Sequence, residues 1–539
     1  MANVMPPGRT HPGIVSRGCT KQGKGVSLNS SLLKRWSWQT LSGWVILLLL
    51  LAAGFGVRMV NLKSPPLDFH PVRQLRSALI ARGVYYQLNT AADPALRAAA
   101  QSLSPTDIHE PPVVEQMVGL TYLLLGSEQL WVSRIFSSLF WLIGGAALFA
   151  LARRRTSLPA ALVGLAFYLC LPFGIVASRS FQPDPWMVMW ILLTVWAADH
   201  WLETPSWKWT ILTGVLGGVA VLVKVMAGLF IGGVLMLVVL AQIGAQGRFF
   251  PRSGLLSLKP WVMAAMVLVP ATVYYLVLHT GRSEEYFSFW TLGFVGMLAT
   301  TKFYVQWLAM INSLTGLTML VLAGLGMVLA QPKFRWSLIG LWIGYILFGL
   351  AWPFQYTTHD YYHLMLVPVV GLSITPVADL FFKKLQEQGW FWRLAGVALI
   401  VAAAGFQWYV GRSTLVASDG ALEPRSWQKV GESIPVGVSF AALTADYGLR
   451  LNYYGWRQAG YYWPAQADLD MEAIRKVAPE KTTELFNSVT AGYSYFLVTA
   501  LTELDAQPEL KTILTEKYPV FFQGNGWTLY DLEHPMAKP

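Results

Sequence analysis

The feature that most constrains this chain is a series of long apolar runs that recur between residues 41 and 410. Most of them span about 17–22 residues, which is the length that crosses a bilayer as a helix. Charged residues make up only 13% of the chain, whereas about 25% is typical of soluble domains. We therefore predict a mainly α-helical, polytopic membrane protein with about eleven transmembrane helices.

The distribution of basic residues predicts how the chain is oriented. Short loops rich in Lys and Arg stay on the cytoplasmic side of a membrane, and Arg153-Arg154-Arg155 is the strongest such marker here. Placing this triplet inside puts the N-terminus in the cytoplasm and the C-terminal part outside the plasma (inner) membrane. The net charge of +11 is then explained by the inner loops, and no nucleic-acid partner is indicated.

Composition divides the chain into three parts. Residues 1–40 are polar, basic and aperiodic, which predicts a disordered cytoplasmic tail. Residues 41–410 form the transmembrane domain, with a large first outer loop at residues 61–129. Residues 411–539 are more charged, contain short strand-like runs, and carry the hairpin signal Gly524-Asn525-Gly526. This last part is predicted to be a small extracytoplasmic α/β domain.

Two of the apolar runs permit more than one interpretation. The first, Leu41–Val57, follows basic residues as a signal peptide does, but its length and the polar tail before it favour a retained anchor. The run Ile211–Ile243 would measure about 50 Å as one helix, against a hydrocarbon core of about 30 Å. We predict two spans with a sharp turn at Lys224, which brings its ammonium group to the outer surface.

Ionisable side chains concentrate in the predicted outer loops. The stretch Pro65–Gln74 follows the first span, and its prolines stop the helix and hold Asp68 near the membrane surface. The other candidates in these loops are His70, Arg73, His109, Glu110, Arg179, Asp184, Lys224, Arg282, Lys302, His359, Asp360 and His363. Loops of this kind can converge on one site at the rim of a helix bundle.

Each of these residues alone also has a plain structural interpretation. Asp68 can cap the helix that follows it, and Pro183-Asp184-Pro185 can be an ordinary turn. Lys224 can extend along apolar surface toward the interface, and Tyr361 and Tyr362 suit an interfacial aromatic belt. Only the clusters taken together indicate a site.

The order of these motifs resembles the membrane glycosyltransferases of the GT-C type, close to the protein O-mannosyltransferase and aminoarabinose transferase group. The resemblance covers residues 40–410. It is carried by Leu67-Asp68-Phe69, His109-Glu110-Pro111-Pro112, Pro183-Asp184, Lys224-Val225-Met226-Ala227-Gly228 and His359-Asp360-Tyr361-Tyr362-His363-Leu364. The chain departs from the family in two places. Phe69 and His70 follow Asp68 where members often show a paired Asp-Glu, and Val225-Met226 follows the lysine where Gly-Pro is usual.

The resemblance implies an inverting glycosyltransferase that moves a hexose or pentose from a polyprenyl-phosphate-linked donor to an acceptor at the outer face. Asp68 would be the catalytic base, which deprotonates the acceptor hydroxyl. The donor phosphate would be bound by Lys224, Arg73, Arg282 and Lys302. The vicinity of the acceptor or of a metal would be formed by Asp184, His70, His109, Glu110, His359, Asp360 and His363. The resemblance does not name the sugar. It also leaves open whether the acceptor is a glycan, a lipid or a protein.

A divalent metal ion is a further open question, because carboxylate and imidazole groups are suitable ligands for one. Two other classes of protein predict different sequence features. A lipid or solute transporter, or flippase, predicts ionisable groups near the bilayer midplane and repeated broken spans, whereas these spans are nearly free of charge. A sensor with an outer ligand-binding domain would not need so many spans.

Overall fold

The computed structural model describes residues 38–107, 110–245, 257–278, 282–418, 420–475, 477 and 480–536. The chain divides into two compact units, residues 1–46 and residues 47–539. The predicted cytoplasmic tail lies outside the described residues except for its last three positions.

Helices account for most of the described residues up to residue 417. The first ten are α1 (Trp38–Arg58), α2 (Pro71–Leu88), α3 (Pro94–Leu103), α4 (Val113–Leu125), α5 (Trp131–Arg155), α6 (Leu158–Cys170), α7 (Pro172–Ala177), α8 (Asp184–Glu203), α9 (Trp207–Val223) and α10 (Ala227–Ala245). Then come α11 (Leu258–Thr272), α12 (Arg282–Trp290), α13 (Thr301–Thr315), α14 (Leu317–Leu329), α15 (Pro332–Ala351), α16 (Pro353–Thr358), α17 (Leu366–Ser373), α18 (Thr375–Gln386) and α19 (Trp390–Ala417). Short π or 3₁₀ turns occupy Val273–Leu278, Leu292–Ala299 and Asp360–His363. The predicted helical membrane architecture is confirmed.

The number of spans differs from the prediction. Six described segments are long and apolar enough to cross a membrane: Trp131–Arg155, Ala227–Gly244, Leu258–Leu278, Pro332–Ala351, Asp360–Gln386 and Trp390–Ala417. A bent pair, Phe287–Ala299 and Thr301–Thr315, would add one more, with an angle of 105° between its helices. Two predicted spans are interrupted, one before Pro172 and one at Gly316, whose φ is +81°. Proline lacks the N–H that would continue a helix, so a span interrupted by proline appears as two shorter helices. Helix length therefore does not confirm a count of about eleven spans.

Close contact between backbones holds the centre of the bundle together. A Cβ atom added to Gly344 on α15 would lie 2.4 Å from the Cα atom of Phe230 on α10. One added to Gly233 on α10 would lie 2.4 Å from the carbonyl oxygen of Gly340. Small residues at such a crossing let two membrane helices approach closely. The close backbone contact stabilises the pair through dispersion attraction, because lipid provides no hydrophobic driving force between helices.

The arginine triplet that predicted the orientation is also a structural element. Nε of Arg155, at the end of α5, lies 2.7 Å from Oδ1 of Asp199 on α8, and Nε of Arg154 lies 3.0 Å from Oδ2. The Asp199 side chain is fully buried, and both arginines also bind Glu203. The predicted spans therefore hold a buried carboxylate whose cost of desolvation is offset by two guanidinium groups.

A small mixed sheet forms the predicted C-terminal α/β domain. Its elements are α20 (Glu423–Ser433), β1 (Phe440–Leu443), β2 (Tyr461–Tyr462), α21 (Gln466–Ile474), α22 (Thr482–Thr490), β3 (Tyr495–Val498), α23 (Leu501–Asp505), α24 (Pro508–Lys517), β4 (Val520–Gly524) and β5 (Trp527–Asp531). The strand order is β2-β1-β3-β5-β4, in which β1 is parallel to β2 and β3, and β5 is antiparallel to β3 and β4. The hairpin predicted from Gly524-Asn525-Gly526 joins β4 to β5.

The C-terminal domain is joined to the helical part through Arg82 on α2. The Arg82 guanidinium group donates to the carbonyl oxygen of Tyr453 at 2.7 Å and to the carboxylate of Glu128 at 3.1 Å. It also lies over the ring of Tyr453, 3.8 Å from the centroid, and over Trp456 at 4.2 Å. A buried cation with this many partners sets the position of α2 against the segment of the C-terminal domain that carries Tyr453 and Trp456.

Candidate active site

Motifs that are far apart in the sequence meet beside the first turn of α2. Lys224 Nζ lies 2.8 Å from Asp184 Oδ1 and 4.0 Å from Glu110 Oε1. Arg73 Nη2 lies 3.3 Å from both carboxylate oxygens of Glu110. Together with the residues that adjoin them, these side chains form what we call the polar cluster: His70, Arg73, Glu110, Asp184, Lys224, His359, Asp360, Tyr361 and Tyr362.

The chain breaks at Lys224 as the length of the apolar run predicts. Lys224 is extended, with φ −156° and ψ 120°, between the end of α9 and the start of α10. Its side chain is not at a surface, however, because both Lys224 and Asp184 are only 2% exposed. Buried ion pairs of this kind are stable only when the geometry is good. Asp184 Oδ2 has no hydrogen-bond partner among the described residues, so this oxygen can accept a further hydrogen bond.

Aromatic rings cover the cationic side of the polar cluster. Lys224 Nζ lies 5.6 Å from the ring centroid of Tyr361 and 5.3 Å from that of Tyr362, and the Arg73 guanidinium lies 5.8 Å from Tyr361. Burial acts to lower the pKa of Arg73, but Glu110, Tyr361, Asp184 and Tyr362 together outweigh it and raise that pKa well above its usual value. Arg73 therefore keeps its charge in a partly dry environment.

His70 has an unusual backbone. It precedes Pro71, the first residue of α2, and adopts the left-handed conformation with φ 43°. This conformation costs of the order of 1–3 kcal/mol for a residue with a side chain, and such residues cluster at functional sites. The strained backbone places His70 Nε2 2.6 Å from Asp360 Oδ1, with the two side chains 27% and 34% exposed. Of the pairs in the polar cluster, this is the one most open to a substrate.

The ring of His359 stacks beside His70, with 6.0 Å between the centroids. Burial and the neighbouring His70 lower the pKa of His359 to about 4. His359 is therefore neutral at physiological pH, and it can accept or donate hydrogen bonds without adding to the positive charge of the site.

A catalytic base must be accessible to the acceptor hydroxyl, but Asp68 is buried and paired with two arginines. Its side chain is 3% exposed, and Oδ1 is 3.0 Å from Arg134 Nη2 while Oδ2 is 3.1 Å from Arg179 Nη2. Gln74 donates a further hydrogen bond to Oδ1 at 3.2 Å. Both carboxylate oxygens are therefore engaged, and Asp68 can reach an acceptor hydroxyl only if an ion pair breaks. The assignment of Asp68 as catalytic base stays a prediction.

The two arginines also bind the carbonyl groups just after α1. Arg134 donates to the carbonyl oxygen of Asn61 at 2.8 Å and of Pro65 at 3.1 Å, and Arg179 donates to that of Arg58 at 3.1 Å. Cations are favourable at the carboxyl end of a helix, where the carbonyl groups lack partners. Sequence reasoning missed Arg134, although an arginine in the first turn of an otherwise apolar span is a signal that could have identified it.

Several other predicted residues are not part of the polar cluster. His363 is fully buried, and its ring nitrogens are used by the Tyr345 hydroxyl at 2.6 Å and the Tyr356 carbonyl at 2.8 Å. It is thus a packed core histidine and not a free ligand. Lys302 is exposed at the start of α13 and forms no ion pair with a described residue. Arg282 begins α12 but its side chain lies outside the described residues, as does all of His109.

The described residues do not suit a divalent metal ion. No group of three His, Cys, Asp or Glu side chains among them has the arrangement of a metal site. Asp184 is neutralised by Lys224, and Glu110 lies between Arg73 and Lys224. Cations so close to the carboxylates would repel a metal ion, so we derive no step through one.

The bundle with its attached C-terminal sheet defines the fold class as GT-C type, and the predicted resemblance is confirmed. The family model described as dolichyl-phosphate-mannose-protein mannosyltransferase matches residues 109–275. The structure is similar to that of ArnT from Cupriavidus metallidurans bound to undecaprenyl phosphate, with a TM-score of 0.56, 16% identity and coverage of 91% of this chain and 98% of that one. The apo state of the same protein gives a TM-score of 0.57 at 17% identity, with the same coverage. No curated protein sequence matches this chain significantly.

Proposed function

We propose that this protein is an inverting glycosyltransferase that moves a sugar from a polyprenyl-phosphate-linked donor to an acceptor at the outer face of the plasma membrane. One observation carries the proposal: Lys224 and Arg73 lie in a single cluster with the accessible His70–Asp360 pair. The shared fold with a protein crystallised with undecaprenyl phosphate supports it. Phosphate binding and proton transfer are the two tasks that this reaction requires.

The donor phosphate is proposed to bind at Lys224 and Arg73. The contact from Lys224 to Glu110 is long, at 4.0 Å, and that from Arg73 is 3.3 Å. A phosphate oxygen can therefore displace the Glu110 carboxylate without breaking the shorter Lys224–Asp184 pair, at 2.8 Å. Charge-assisted contacts from preformed cations then stabilise the negative charge that develops on the leaving phosphate.

The His70–Asp360 pair is proposed to accept the proton. The acceptor oxygen attacks the anomeric carbon opposite the phosphate, the bond from that carbon to the phosphate oxygen breaks, and polyprenyl phosphate leaves with the electron pair. The hydroxyl proton passes to Nδ1 of His70, while Nε2–H donates to Asp360. A carboxylate on the far nitrogen orients the imidazole and stabilises its cation, as in other His–Asp pairs. In this scheme Asp68 positions the segment that carries His70.

A transporter remains the alternative class, and the location of the polar cluster argues against it. Lys224 lies between the end of α9 and the start of α10, and Asp184 lies in the first turn of α8, so both groups are at helix ends. A transport site would place such groups near the middle of the spans. The site instead suits a reaction at a membrane surface, where a lipid-linked donor presents its headgroup.

The test uses proteoliposomes with undecaprenyl-phosphate mannose, glucose or arabinose as labelled donors and an envelope extract as the acceptor source. Lys224→Met should raise the donor KM at least tenfold, since a charge-assisted contact is worth about 1.5–3 kcal/mol, and should leave the acceptor KM unchanged. Lys208→Met, exposed near the start of α9, is the matched control. An unchanged donor KM together with a raised acceptor KM would contradict the phosphate assignment.

The proton-accepting pair is tested with His70→Gln and Asp360→Asn. Loss of a general base should lower kcat by about 10²–10⁴-fold while native mass spectrometry still detects bound undecaprenyl phosphate. A kcat within a factor of about three of the parent would show that another group accepts the proton, with Asp68 as the next candidate.

A further inference from the structure

A cleft of about 570 Å³ lies in the C-terminal domain, and its described lining residues are separate from those of the polar cluster. It opens at the carboxyl ends of the three parallel strands. Its walls include Thr444 and Asp446 after β1, Trp463 after β2, and Thr499 and Glu503 after β3. Val72 on α2 closes it from the side of the helical part.

The topology of the sheet places this cleft where ligands bind in open α/β sheets. β1 lies between β2 and β3 and is parallel to both. The chain leaves β1 toward β2 on one side and returns to β3 on the other, so the direction of winding reverses beside β1. A crevice forms at the carboxyl ends of strands at such a switch point.

Two side chains in the cleft have polar atoms that the rest of the protein does not use. Oγ1 of Thr444, whose side chain is buried with the residue only 8% exposed, has no hydrogen-bond partner among the described residues. The same holds for Oγ1 of Thr499 within the part of the chain that the structure describes. A buried hydroxyl without a partner costs roughly 1–3 kcal/mol, so both groups indicate a ligand that supplies the missing hydrogen bonds.

The backbone at the edge of the cleft is strained in the same place. Asp446 and Tyr447 adopt left-handed conformations, with φ of 54° and 52°. Two adjacent residues with side chains rarely do so, and such strain is typical of ligand-binding sites. The strained turn places the Tyr447 hydroxyl 2.8 Å from Asp468 Oδ1 at the mouth of the cleft.

The charges of the lining describe the kind of ligand. No Lys, Arg or His is among the described residues that line the cleft, so phosphate and other anions are disfavoured. The carboxylates are already engaged: Asp446 pairs with Arg450, Asp468 accepts from Tyr447, and Glu503 accepts from the backbone N–H of Gln466 at 2.9 Å. Oxygens of this kind keep lone pairs that can accept from hydroxyl groups.

We propose that this cleft binds an uncharged carbohydrate and holds the sugar part of the acceptor. The threonine hydroxyls, the engaged carboxylates and the exposed Tyr447 ring match the alternating polar and apolar faces of a pyranose. Val72 in the cleft and Arg73 in the polar cluster are consecutive residues in the first turn of α2, so the two sites adjoin the same helix end. This assignment rests on the proposed transferase function and names the chemical class of its acceptor.

Binding is tested by saturation-transfer difference NMR on the full chain in nanodiscs. The probes are the methyl glycosides of glucose, galactose, mannose and N-acetylglucosamine, with glucosamine and glucose 6-phosphate as charged controls. At least one neutral glycoside should receive saturation. Ala445→Trp should abolish this signal because it fills the mouth of the cleft, and Ala491→Trp, exposed before the amino end of β3, should not. No neutral glycoside signal, or a stronger glucosamine or glucose 6-phosphate signal, would overturn the proposal.

Thr444→Val separates a binding role from a structural one. Replacing a buried hydroxyl without a partner by a methyl group of the same shape should leave Tm unchanged or raise it, whereas glycoside affinity should fall by about three- to tenfold for one lost hydrogen bond. Thr444→Ser should keep the affinity. A lower Tm with unchanged affinity would show that the hydroxyl has a structural role and that the assignment is wrong.

The two proposals can fail separately. If glycosides bind the cleft but the protein transfers no sugar from any polyprenyl-phosphate donor, the cleft proposal is supported and the transferase proposal is contradicted. Transfer that proceeds in Ala445→Trp with an unchanged acceptor KM would support the transferase and contradict the cleft.

Discussion

Asp68→Asn distinguishes a residue that performs catalysis from one that holds the fold. Arg134, Arg179 and Asp68 are 2%, 1% and 3% exposed in their side chains. The substitution keeps the shape of the side chain but removes its negative charge. The buried guanidinium groups of Arg134 and Arg179 then lose their anionic partner. Breaking a buried ion pair in this way costs about 3–5 kcal/mol.

The loss can be expressed as a change in Tm. An unfolding entropy of about 2.1 cal/mol/K per residue gives roughly 1.1 kcal/mol/K for 539 residues. A loss of about 3–5 kcal/mol then lowers Tm by about 3–5 °C. The assay is thermal unfolding in nanodiscs, followed by intrinsic tryptophan fluorescence, with kcat measured on the same samples well below Tm.

Asp505→Asn is the matched control. Asp505 pairs with Lys511 at 2.8 Å on the surface, where the two side chains are 63% and 50% exposed. Solvent screens such a pair, so its loss should not change Tm measurably. If Asp68→Asn keeps Tm within about 1 °C of the parent and abolishes transfer, the structural role is refuted and Asp68 acts as the base.

Two further predictions concern packing and pH. Gly326→Ala on α14 should lower Tm because its Cβ would lie 1.7 Å from the carbonyl oxygen of Ser373, whereas Gly324→Ala on the same helix, with no atom within 4 Å, should not. The pKa of His359 is lowered to about 4 in the folded protein, so the unfolded chain binds the proton first and stability should fall as pH decreases from about 6.5 to 4. His359→Gln should reduce this slope of Tm against pH, and His534→Gln, fully exposed near the C-terminus, should not reduce it.

Sequence patterns predicted the membrane class and much of the fold because those patterns are local. Apolar length and charge spacing follow directly from the solvent that surrounds each segment. The break at Lys224 and the hairpin before Trp527 were predicted correctly for this reason. The span count was not confirmed, because Pro172 and Gly316 interrupt helices within apolar runs that are continuous in hydropathy.

The sequence by itself determined which chemical groups this protein could bring to a site, and on which predicted side of the membrane they lie. Only the tertiary structure decided how those groups pair. It placed Asp68 between Arg134 and Arg179, buried Lys224 against Asp184, and left His70 and Asp360 accessible. The physical reason is that the role of a charged group depends on its burial and nearest partners, and these come from helices far apart in the chain.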